Sequence, residues 1–168
     1  DARGQRTGST VTAGSQTTTS TFTYSGLALL GLSATQTGGT ENDTWNITYL
    51  YDASGRPYAG LYRDPAVSTT PVVFALVSTD RGDVVELLDA AGTPFAAYRY
   101  DPWGNPRGSG TLGTGMWAQS TALIPQALAA DIATRQPLRY AGYYYDQESG
   151  LYYLSARSYD PQTGQFLT

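Results

Sequence analysis

The chain has 168 residues, a formal charge of −4 and no cysteine or histidine, and all ten of its basic residues are arginine. These absences exclude disulfides, thiolate–zinc sites, thiol or imidazole catalysis and lysine Schiff bases, which leaves carboxylate chemistry to any enzyme reading. The mild negative charge without a basic run argues against a nucleic-acid partner, no apolar run reaches the ~20 residues of a membrane span, and no cofactor or metal set is legible.

In chain order, residues 1–20 are rich in Thr, Ser and Gly and read as a flexible, extended lead-in. From Thr21 the chain breaks into short strand-like runs. In "TWNITYLY", Trp45, Ile47, Tyr49 and Tyr51 share one face, the period-two signal of a strand. "PVVFALVST", "DVVELLD" and "TPFAAYRYD" continue the series, with Ala96, Tyr98 and Tyr100 on one side of the last. Three of these runs end in a similar turn: "YDASG", "LDAAG" and "YDPWG" carry Asp52 and Gly55, Asp89 and Gly92, Asp101 and Gly104. Aspartate accepts from the amides ahead of it, and glycine takes the left-handed conformation that closes a hairpin. "YDQESG" and "YDPQTG" are one residue longer and end in Gly150 and Gly164. "GSGTLGTG" (108–115) reads as a flexible connector. Leu123, Ala127, Leu128 and Ile132 then predict a short helix over 126–134, and Leu123, Leu128 and Ile132 form an apolar face that covers a sheet edge or end or else binds a partner.

The pattern predicts an all-β chain of successive hairpins in a curved antiparallel sheet, divided as lead-in 1–20, hairpins 21–107, linker and helix 108–137, and a tyrosine-rich end at 138–168. That last segment, "PLRYAGYYYDQESGLYYLSARSYDPQTGQFLT", closely resembles the core sequence of Rhs/YD-repeat proteins, and "ITYLYDASGRPYAGLYR" resembles one ordinary YD repeat. The family includes bacterial polymorphic toxins, the C component of Tc toxins, wall-associated YD-repeat proteins and teneurins. The resemblance implies a spiralling hollow shell, sealed by the core, at a bacterial surface or in secretion. It also implies as partners the rest of a larger shell, or further copies through open sheet edges, and a C-terminal toxin cargo.

Several residues carry two readings. Tyr143, Tyr144, Tyr145, Tyr152, Tyr153 and Tyr159 are either a ladder of stacked rings or a surface for glycans or an unfolded chain. The aspartates are turn caps or, in an aspartyl self-cleavage that the resemblance implies just past the core, a carboxylate pair; Asp146 and Asp160 are then the candidates. Arg139 and Arg157, within the core strands, are expected to pair with Asp146 or Asp160, since an unpaired interior charge is costly. The tripeptide Arg81-Gly82-Asp83 is a chance occurrence or an adhesive motif.

Overall fold

The computed structural model describes residues 5–39, 42–155 and 157–167. The first four residues of the expected lead-in and the last residue of the expected core lie outside these. Eight strands follow one another, each hydrogen-bonded antiparallel to the one before: β1 Gly8–Ala13, β2 Gln16–Ser25, β3 Ala28–Thr37, β4 Asp43–Tyr51, β5 Pro57–Asp64, β6 Ser68–Ser78, β7 Val84–Leu88 and β8 Pro94–Tyr98. A small hairpin, β9 Ser109–Gly110 and β10 Gly113–Thr114, leads to β11 Met116–Ala118, which pairs with β8 as the ninth strand of this sheet. Helix α1 (Gln126–Arg135) and a turn of 3-10 helix (Tyr140–Gly142) come next. The chain then forms a separate four-stranded sheet, β12 Tyr144–Asp146, β13 Leu151–Tyr153, β14 Ser158–Asp160 and β15 Gln165–Leu167.

Two expectations are corrected here. From Gly8 onward the expected flexible lead-in is a hairpin: β1 and β2 pair in continuous register from Gly8↔Thr21 to Ala13↔Gln16. Their threonines are β-branched and suit a strand that shows both faces to water, and Thr12 and Thr17 hydrogen-bond across it at 3.1 Å. The connector at 108–115 is likewise the tight hairpin β9–β10. The helix is one residue longer than predicted, and Leu123 precedes it, 56% exposed, so the buried helical face is Leu128, Ala129, Ile132 and Ala133.

The long sheet has one buried face. Trp45, Ile47 and Tyr49 alternate inward on β4. The register places Ala34 opposite Trp45 and sets Leu32 and Tyr62 on either side of Ile47. Gly60 is needed in this layer because the Phe74 ring of β6 lies over it, where a Cβ would overlap the ring. On the other face Leu50 and Val73 are exposed. Helix α1 covers the buried face, tied down by the Tyr98 hydroxyl donating to the Ala133 carbonyl at 2.9 Å.

The hairpin turns repeat one hydrogen-bond pattern. At Asp52, Asp89 and Asp101 one carboxylate oxygen accepts from the amides two and four residues on, at 2.8–3.0 Å. The amides of Gly55, Gly92 and Gly104 donate back to the aspartate carbonyls at 2.9–3.0 Å, with φ of 81°, 80° and 94°. The Ser54 hydroxyl and Arg56 amide hold the Asp52 carboxyl below its ordinary range. Thr121, then the Thr93 and Ala91 amides, do so for Asp89. Residues Thr79–Asp83 form the same turn with the Thr79 hydroxyl in place of the carboxylate, accepting from the Asp83 amide at 3.1 Å. In the longer turns the amides of Gly150 and Gly164 donate to the carbonyls of Asp146 and Asp160 at 2.8 Å.

Candidate functional site

The buried face meets the four-stranded sheet in a tyrosine-rich centre. Antiparallel register places Tyr145, Tyr152, Tyr159 and Phe166 side by side in one row, on the same side of the pleat. Their ring centroids are 4.9, 6.4 and 5.3 Å apart. Tyr140 joins the row, 5.9 Å from Tyr152, and Tyr100 lies 6.1 Å from Tyr140. The hydroxyls of Tyr140, Tyr152 and Tyr159 donate to the carbonyls of Pro102, Gly104 and Trp103 at 2.7–2.9 Å. Three rungs of the ladder thus grip the backbone of the Asp101 turn, and the Asn105 side-chain amide reaches the Pro161 carbonyl at 2.7 Å from the other side. Burial opposes ionisation of Asp101, yet its hydrogen bonds from Asn105, Trp103 and Arg107 win and hold the carboxyl below the ordinary range.

Tyr144 and Tyr153 point to the opposite face. With Phe22 they surround the guanidinium of Arg6, whose carbon lies 4.7–5.0 Å from the three ring centroids. Arg6 Nη1 forms an ion pair with Asp146 at 2.9 Å, and its amide donates to the Tyr153 hydroxyl at 2.7 Å. Arg6 is therefore clasped to the four-stranded sheet. Burial raises the Glu148 carboxyl above its ordinary range, with Asp146 adding to the effect, while Glu148 and Arg6 hold Asp146 below its own. Tyr143 belongs to neither face and is exposed.

The remaining expectations meet a different arrangement. Asp146 and Asp160 lie at the same end of the four-stranded sheet but two strands apart, about 10 Å at the spacing of neighbouring strands. Asp160 caps its own turn, accepting from the Gln162 amide at 2.8 Å and the Thr163 hydroxyl at 2.9 Å. Both contacts, the amide foremost, hold its carboxyl low. Among the described residues no ion pair joins Arg139 or Arg157 to either aspartate. Arg157 is exposed, 4.7 Å from the Phe166 ring centroid. Arg139 is buried, stacked 3.6 Å over the Tyr98 ring, with Nη2 donating to the Ala133 carbonyl at 2.8 Å. Nearness in sequence misled here, because Asp146 takes a partner 140 residues away. The adhesive reading of Arg81-Gly82-Asp83 fails as well: Asp83 is buried, accepting from Thr79, Arg81 and the Ala141 amide at 2.9–3.1 Å.

No family model matches the chain. Over 87 residues, 52% of the chain, it is 40% identical to the tRNA3(Ser)-specific nuclease WapA of Bacillus spizizenii and 39% identical to the tRNA nuclease WapA of Bacillus subtilis (strain 168). It spans 3% of the length of each. The structure aligns over 100% of its length with the Photorhabdus luminescens Tc holotoxin pore, at TM-score 0.73 and 19% identity. Against the crystal structure of TcdB2-TccC3, 98% aligns at TM-score 0.69 and 20% identity. In both cases the match is 7% of the larger chain. The fold is an Rhs/YD-repeat shell fold.

The densest charge cluster of this fold escaped the sequence reading. Arg135, in the last turn of α1, lies 3.9 Å over the Trp45 ring. Its guanidinium binds Asp43 of β4, Asp64 of β5 at 2.6 Å and Asp131 at 2.8 Å. The Tyr62 hydroxyl contacts Asp64 and Asp131 and accepts from Arg135 at 2.6 Å. Burial raises the Asp131 carboxyl above its ordinary range; burial also opposes ionisation of Asp64, but Arg135 and the Ala66 amide hold that carboxyl low. The four-residue spacing of Asp131, on the predicted helix, and Arg135, one residue past its predicted end, was a legible signal for one of these pairs. Asp43 and Asp64 are too distant in sequence to have been foreseen.

Proposed function

We propose that this segment is a piece of wall, with its core, from a bacterial Rhs/YD-repeat shell that is secreted or displayed at the cell surface and encloses or presents a C-terminal cargo such as a toxin. One observation carries the reading: an open nine-stranded antiparallel sheet, one face buried and one exposed, aligns along its whole length with a small part of a much larger shell protein. Outer strand β1 has a neighbour on one side only among the described residues. An unpaired edge of this kind accepts further strands, from the rest of a shell or from a second copy. The names of the relatives, tRNA nucleases and a Tc holotoxin, fit a toxin cargo.

The test is limited proteolysis of the full encoded product. A shell protects whatever the chain carries C-terminally until it is denatured. A cargo digested as fast in the native protein as in urea would refute enclosure. The self-cleavage reading through Asp146 and Asp160 gains no support from two carboxylates on separate strands, each already engaged. A glycan-binding surface is equally unsupported, since the ladder rings cover the protein's own Asp101 turn.

A further inference from the structure

A solvent-open cavity of about 340 Å³ lies between β8, the Asp101 turn, β11 and the tyrosine ladder. This is the size of a site for a small molecule or a short stretch of peptide. Its walls include Tyr98, Tyr100, Tyr145 and Tyr152, with Gln147 and Gln162 as neutral polar groups, and it has one charged lining residue, Arg139. Arg139 is 3% exposed. Its Nη2 is engaged by the Ala133 carbonyl, but Nη1 is buried with no hydrogen-bond partner among the described residues. A buried cation lacking a counter-ion is among the least favourable arrangements a fold contains.

The neighbouring groups do not answer it. Asp83 is bound by Thr79, Arg81 and the Ala141 amide, Asp101 by its own turn with Asn105 and Arg107, and Asp146 by Arg6. Desolvation raises the pKa of Tyr98, Tyr100, Tyr145 and Tyr152, so these phenols stay neutral and supply no phenolate. The hydroxyls of Tyr98, Tyr100 and Tyr152 already donate to backbone carbonyls, and what those residues present to the cavity is ring surface.

We propose that this cavity is a carboxylate-binding site, with the Arg139 guanidinium as counter-ion and the tyrosine rings around the stem that bears the acid. A guanidinium favours a planar carboxylate through charge-assisted hydrogen bonds. The acid is a side chain or terminus of a polypeptide, or a small free carboxylate; both present the same group to Arg139. The site stands on its own geometry and does not depend on the shell reading.

Met116 provides the reporter. It is the only methionine in the chain, it lines the cavity, and its sulfur lies 3.7 Å from Arg139 Nη2. Labelling methionine methyls with ¹³C therefore yields one NMR signal at the site. Benzoate, titrated at constant ionic strength, is expected to shift that signal saturably, and benzamide to bind about tenfold more weakly, because it lacks the charge. Acetyl-Gly-Glu-Gly-amide saturating at lower concentration than benzoate, with its Gln counterpart inactive, identifies a polypeptide acid. Saturation by benzoate alone identifies a small acid. Equal, unsaturated drift with benzoate and benzamide, or no response to any acid, overturns the proposal and leaves Nη1 to water. Arg139→Leu abolishes the saturable shift while Arg157→Leu, at an exposed arginine, retains it. The contrast of acid with amide in the unaltered chain decides the matter even where Arg139→Leu fails to fold.

Discussion

Arg135 and Arg139 are four residues apart, both sit under the same sheet, and both stack on an aromatic ring, yet their electrostatic settings are opposite. Arg135 faces three aspartates from β4, β5 and its own helix. Arg139 faces tyrosine rings and no carboxylate. The first arrangement joins three elements through one guanidinium, so it serves the fold. The second leaves a charge unanswered beside an open cavity, and a fold gains nothing from that by itself. A buried arginine is therefore informative only together with what surrounds it.

The sharpest way to break the comparison is Arg135→Met. It strands three aspartates and is expected to cost about 3–5 kcal/mol in urea unfolding at neutral pH. The sign with pH follows from Asp64, whose folded carboxyl is held below its unfolded value. That contribution is present above the unfolded carboxylate pKa, ~3.9, and is lost as pH falls through the lower folded value. The penalty of Arg135→Met must therefore shrink as the solution is acidified; a constant or growing penalty would show that the pairs are not what holds α1.

On the Arg139 side the Asp101 turn forms part of the cavity wall, and its glycine separates local strain from packing. Gly55→Ala and Gly104→Ala each place a side chain at a positive φ, 81° and 94°. Nothing surrounds the new atom at Gly55, so the cost is about 1 kcal/mol. At Gly104 the Tyr140 ring stands 2.7 Å away, and overpacking takes the loss to about 3 kcal/mol. Equal losses would mean that the ladder does not press on the turn.

A smaller effect is expected from Asp101→Asn, which weakens a carboxylate held below its ordinary range. The thermal midpoint falls at pH 7 and converges with that of the parent chain as the pH drops below the ordinary carboxylate range, where the parent's own carboxyl protonates. The smallest is Arg139→Leu. Removing the unpaired charge relieves a desolvation cost, but the hydrogen bond to Ala133 and the contact with the Tyr98 ring are lost with it, so the net change in stability is less than about 1 kcal/mol. A loss as large as that of Arg135→Met would erase the contrast between the two arginines.

Much of the fold was legible because its signals are local. The alternation of Trp45, Ile47 and Tyr49 and the Asp-x-x-Gly turns arise from neighbouring residues and reappear in the hydrogen bonds. Strand β1 and the first half of β2 were missed for want of a buried face: threonine and serine in a two-sided stretch leave no hydrophobic period to read. The partners of Asp146 and Arg135 were illegible for another reason. Arg6, Asp43 and Asp64 come from strands or segments 71–140 residues away, brought near only by the stacking of the sheet. Sequence proximity suggested Arg139 and Arg157 for Asp146, and topology overruled it.

The ladder residues Tyr145, Tyr152, Tyr159 and Phe166 recur every seven positions. Seven residues are what this chain uses to run one short strand, turn and come back into the row. Length here is consequently quantised. Adding or removing seven residues leaves every ring stacked on the same side, whereas six or eight would turn the next ring outward and end the column. A sheet built this way can lengthen through whole steps while its interior chemistry stays constant.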